Sequence, residues 1–89
     1  MNETISEEYL KEVRKRCDEA TPGPWISFIE DRDHESGDSF IMRGQDGSEE
    51  DLYLYGGTIA DHDFVANAKQ DIPILLNEII RLKNLLGEV

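Results

Sequence analysis

The segment Ala20-Thr21-Pro22-Gly23-Pro24-Trp25 constrains this chain more than any other. A residue before proline is pushed out of the helical region, so Thr21 must end any helix that reaches it. Gly23 is expected to take a positive φ and turn the chain, and Pro24 then fixes its exit direction. The corner delivers the only tryptophan, Trp25, into the start of a strand. A large ring on so stiff a tether is expected to anchor a helix to a sheet.

Before the corner, residues 4–20 read as a helix. Ile5, Tyr9, Val13, Cys17 and Ala20 recur at helical spacing, with Leu10 beside them, and Thr4 with Glu7 has the spacing of a capping box. Cys17, the single cysteine, rules out an internal disulfide and reads as a small buried hydrophobe. After the corner, residues 25–30, 39–44 and 51–55 read as three strands. Asp46-Gly47 supplies a hairpin turn signal between the second and third, and Gly56-Gly57 ends the sheet. Thr58 to Lys69 reads as a short helix opened by a Thr58/Asp61 capping box. Asp71 is expected to cap a second helix that carries Pro73 in its first turn. The fold expected is therefore α+β, one domain over 1–89. A three-stranded antiparallel sheet is packed by an N-terminal helix and two C-terminal helices, in the order αβββαα.

In the strands, Ile26, Phe28, Phe40, Met42, Leu52 and Leu54 share one parity and form the expected core face. The other parity carries Trp25, Ile29, Ile41, Tyr53 and Tyr55, which is too apolar for a face left to water. Either the terminal helices cover both faces or the second meets a partner. The last helix repeats Leu75, Ile79, Leu82, Leu86 and Val89 at intervals of four and three residues, a wide stripe that predicts a homodimer through Ile79, Leu82 and Leu86.

Charge narrows the range of partners. Residues 30–63 hold eleven of the twenty acids but only two of the nine basic residues, Arg32 and Arg43. Such a field repels phosphates, so neither direct nucleic-acid binding nor contact with an anionic membrane is expected. It attracts a basic protein, and Glu49, Glu50, Asp51, Tyr53 and Tyr55 are the expected partner-binding residues. The opening MNETISEEYL has neither the basic start nor the apolar run of a secretory leader, and no stretch has the length of a membrane span, so a cytoplasmic protein is expected.

Catalytic and metal motifs do not form. Asp31, Asp33 and Glu35 alternate as in a calcium loop, yet the sixth position is Ser36 and the twelfth Met42, where a glycine and a bidentate glutamate belong. Asp61-His62-Asp63 lacks metal-ligand spacing, and Asp61 or Asp63 is better used to cap a helix. No nucleophile motif or phosphate-binding glycine loop is present. No catalytic residue, metal or cofactor is assigned, and the chain is read as a non-enzyme.

The corner and a second block together resemble a known group. Asp61, Phe64, Val65, Ala66, Ala68 and Lys69 match an Asp-Ala-x-Phe-Ile-Ala-x-Ala-Arg pattern, with His62 in place of its alanine, followed by Asp71, Pro73, Leu75 and Leu76. Joined to the ATPGPW corner, this block is similar to the Ead-like phage early proteins. The likeness covers the two ends, about half the chain, and leaves residues 26–57 unmatched. It implies an accessory, non-structural phage or prophage protein acting inside a bacterial host cell. Within that context the acidic strands suit a binder that modulates a host protein, as an inhibitor or a DNA mimic. Two other readings stay open: a sequestering binder of a small signalling metabolite at a dimer interface, and an acidic immunity protein for a basic toxin.

Overall fold

The computed structural model describes residues 5–35 and 37–87. Its elements are helix α1 (Glu7–Glu19), strands β1 (Trp25–Phe28) and β2 (Phe40–Arg43), a 3₁₀ turn at Gln45–Gly47, and helix α2 (Ile59–Leu85). The chain divides into two compact units, one of Met1–Ala20 with Asp71–Val89 and the other of Thr21–Gln70.

In the helical unit, Ser6 caps α1, its hydroxyl accepting from the Tyr9 amide at 3.1 Å. The box expected at Thr4 lies outside the described residues on its threonine side. Leu10 and Leu76 are the buried apolar side chains. Pro73, Leu76, Ile80 and Lys83 trace the more buried stripe of α2 here. Arg14 donates to the Asn77 carboxamide, and the Lys83 ammonium donates to the Ile5 carbonyl at 3.0 Å.

In the other unit, β1 and β2 pair antiparallel, Trp25 opposite Arg43 and Phe28 opposite Phe40. The expected three-stranded sheet is corrected to two strands, because the third segment keeps a single bridge. Ile41 and Leu52 exchange both backbone hydrogen bonds at 2.8 Å. Extension fails on both sides of that bridge. Toward the turn, the Arg43 carbonyl accepts from Glu49 instead of Glu50, and the Arg43 side chain takes the Glu50 carbonyl. Toward the helix, the Leu54 carbonyl is used by the Gly57 amide in a tight turn. The Asp46-Gly47 signal does mark a turn: Asp46 (φ 55°) and Gly47 (φ 69°) both have the positive φ that such turns require.

The two expected C-terminal helices are also corrected, to one helix of 27 residues, about 40 Å long. Asp71 does not begin a new helix. Pro73 gives up one amide hydrogen bond, but Val65 to Ile72 contains no glycine or other stop, so the helix runs through it. The Thr58/Asp61 capping box is formed, each backbone amide donating to the other side chain at 2.9 and 3.0 Å.

Register and the placing of α2 together overturn the expected core face. β1 and β2 pair residues of like parity, whereas Ile41 pairs with Leu52, odd with even. Leu52 therefore shares a face with Ile41, Ser27 and Trp25, and Tyr53 falls beside Phe40. The buried face is that of Ile41 and Ile29, 0% and 2% exposed. Residues 59–70 of α2 are bonded to this face. The Ser27 hydroxyl donates to Asp63, and the Gln70 carboxamide accepts from the Trp25 amide at 2.8 Å and donates to the Trp25 carbonyl at 3.1 Å. Ile26, expected in the core, is exposed.

Trp25 is half-buried. Its indole donates to the Thr21 carbonyl at 3.0 Å, and the Arg43 and Lys69 cations stand 5.9 and 5.6 Å from the ring centroid. The positive φ expected at Gly23 is absent, so the corner does not depend on left-handed backbone there. A Cβ at Gly23 would meet Gln70 and Lys69 at ordinary contact distances.

Candidate acidic and aromatic recognition face

The face of the sheet opposite Ile41 carries a row of rings. Phe28 and Phe40, directly opposite each other, stack at 5.4 Å between centroids. Tyr53 lies 6.0 Å beyond Phe40, and Tyr55 stacks on Tyr53 at 6.2 Å. His34 approaches Phe40 at 5.5 Å. Exposure rises along the row, from half-buried Phe28 and Phe40 to Tyr53 at 42% and Tyr55 at 87%. A ring so exposed at the end of a stacked row is available to a partner and contributes little to the core.

Beside the row opens a cleft of about 290 Å³ whose lining includes Glu30, Asp38, Tyr53, Tyr55, Gly56 and His62. Local geometry explains how these residues meet. The β1/β2 ladder ends at Phe28 and Phe40; beyond it the Glu30 amide donates to the Ser39 hydroxyl at 3.1 Å, and the Ile29 carbonyl accepts from the Arg32 and Asp33 amides in the turn that follows. The Leu54–Gly57 turn closes through a 2.9 Å backbone bond and holds Gly56 at φ 82°, a conformation that favours glycine. The capping box then starts α2 and buries His62, whose Nδ1 donates to the Thr58 carbonyl at 2.8 Å.

The region's two arginines are committed elsewhere. Arg32 pairs with Asp63 at 2.9 Å and with Asp33 at 2.8 Å. Hydrogen bonds from Arg32 and then Ser27 hold the Asp63 carboxyl down at about 2, and those from Arg32 and the Ile29 amide lower that of Asp33. The hydrogen bonds to Thr58 likewise lower Asp61. Arg43 donates to the Thr21 hydroxyl and the Glu50 carbonyl. Asp33 and Asp63 thus belong to a pairing network with Arg32, and Asp61 to a helix cap. Among the described residues, no group of three or more His, Cys, Asp or Glu is placed to hold a metal ion.

The expected partner-binding residues separate into two sets. Tyr53 and Tyr55 come together and line the cleft. Glu49, Glu50 and Asp51 are exposed on the segment after the 3₁₀ turn and do not line it. Glu30, Asp38 and His62 also line it, and no sequence signal sets them apart for binding. Ile79 is half-buried, Leu82 is 44% exposed on α2, and Leu86, just past the helix end, is 73% exposed. No helix among the described residues is long and apolar enough to cross a membrane. Comparison with protein-family models, with characterised proteins and with solved structures finds no match for this chain.

Proposed function

We propose that this chain is a small acidic phage accessory protein that binds a basic host protein through its aromatic face and modulates it. The observation that carries this reading is the row from Phe28 to Tyr55, progressively exposed and bordered by carboxylates. Tyrosine-rich, half-apolar surfaces desolvate well against a partner, and the acidic border selects a positive one and speeds encounter. The phage context comes from the resemblance of the corner and the Asp61–Leu76 block. Self-association through Ile79, Leu82 and Leu86 belongs to the same proposal, supported by the exposed apolar side chains of that helix segment.

Affinity capture from a bacterial lysate tests the reading. The expected result is a discrete basic protein retained at low salt, released as salt screens the field, and retained less by a Tyr53→Ala/Tyr55→Ala protein. It should also be captured more slowly by Glu49→Lys/Glu50→Lys/Asp51→Lys. Equal retention by all three proteins at low and high salt would refute it.

A further inference from the structure

The cleft beside the aromatic row collects acceptors and π faces but no cation of its own. The ion pairs among the described residues join Arg32 to Asp33 and Asp63, and Arg81 to Glu78. Glu30 and Asp38, the cleft's carboxylates, take part in none of them. Arg43 is held by Thr21, the Glu50 carbonyl and the Trp25 ring. His62, which also lines the cleft, is only 4% exposed, and its Nδ1 donates to the Thr58 carbonyl. The volume of about 290 Å³ lies at the small end of ligand cavities, suited to one head group more than to a cofactor.

We propose that this cleft is a cation subsite that receives the guanidinium or ammonium group of an arginine or lysine side chain. The inference rests on the reading of this face as a recognition surface and names the group it recognises. The head group donates to Glu30 and Asp38 and lies against Tyr53 and Tyr55, where the ring quadrupoles favour positive charge. The chain already uses this pairing internally, with Arg43 and Lys69 beside Trp25. A phosphate or carboxylate entering the cleft would instead face two anions.

Titration of the full-length protein with N-acetyl-arginine methylamide, followed by amide chemical shifts, tests the proposal. The neutral citrulline counterpart serves as control. The arginine probe should shift the amides of Ser39, Tyr53, Gly56 and Gly57, and citrulline should do so roughly fivefold more weakly or less, as loss of a cation–π and charge contact implies. A Glu30→Gln/Asp38→Asn protein should lose the response while keeping its spectral dispersion. Tyr55→Ala, at a ring 87% exposed, should weaken the response without threatening the fold. Equal shifts from both probes, arginine shifts confined to Glu49–Asp51, or an unchanged response in the carboxylate variant would overturn the subsite. Failure of the lysate capture alongside a seated arginine probe removes the host-protein reading alone. Successful capture with an unshifted cleft removes the subsite alone.

Discussion

In the Thr21–Gln70 unit, Ile29 and Ile41 are sealed on one face of the sheet, while the other carries a stacked aromatic row that ends in exposed Tyr53 and Tyr55, with exposed Ile26 on the same face. The helical unit buries Leu10 and Leu76 and exposes the aliphatic Ile72, Ile74, Leu75, Leu82 and Leu85 on α2 and Leu86 just past its end, alongside Ile5 and Tyr9. Aromatic rings with charges nearby suit a dissimilar, charged partner, whereas a stripe of leucines and isoleucines suits a like surface. Under the proposed function, host recognition belongs to the sheet and self-association to the helix, and each proposal can be broken separately.

The largest effect is expected in the sealed face. Ile41→Ala removes a side chain with no exposure and should cost about 3 kcal/mol, read as a lowered midpoint in denaturant. An effect no larger than that of exposed Ile26→Ala would mean that the two faces are not so different. Leu82→Ser/Leu86→Ser should leave the helical content unchanged and shift sedimentation from dimer to monomer. A wild-type monomer across the concentration series would remove the assignment of the helix to self-association. At the turn beside the cleft, Gly56→Ala should cost about 1 kcal/mol, because its φ of 82° is strained for any residue with a Cβ. No neighbouring atom lies within contact distance of that Cβ, so a much larger loss would contradict the backbone explanation.

The smallest effect comes from the Arg32 network. The folded Asp63 carboxyl is held at about 2, below its ordinary 3.8. Its contribution is therefore complete above about pH 4 and is lost as pH falls toward 2. The exposed position keeps that contribution modest. Acid titration of stability should show a shallow step in that window, absent in Asp63→Asn, and identical profiles would discount the network.

Much of the local structure was legible in the residues. The α1 stop at the prolines, the Asp46-Gly47 turn and the Thr58/Asp61 cap follow from backbone chemistry within a few positions. The errors came from long-range pairing. Which parity of β1 and β2 is buried depends on the face that α2 covers, and the odd-with-even pairing of Ile41 with Leu52 exchanged the places of Leu52 and Tyr53. Pro73 reads as a first-turn residue, but the helix before it supplies no stop and continues. At the candidate site, Tyr53 and Tyr55 stand out as aromatics on an alternating segment, whereas Glu30 and Asp38 reach the cleft through the loop beyond the hairpin ladder, where the Glu30 amide bonds the Ser39 hydroxyl. His62 reads as a weak metal ligand and joins the cleft only because the cap positions the first turn of α2.

The division of labour between the units is tested most directly by one affinity-capture experiment from host lysate at low salt. It compares Tyr53→Ser/Tyr55→Ser with Leu82→Ser/Leu86→Ser, each matched to wild type in folded concentration. The account predicts that the tyrosine variant loses the basic partner while the leucine variant, though monomeric, retains it. Retention by the tyrosine variant together with loss by the leucine variant would contradict it and move recognition to the helix.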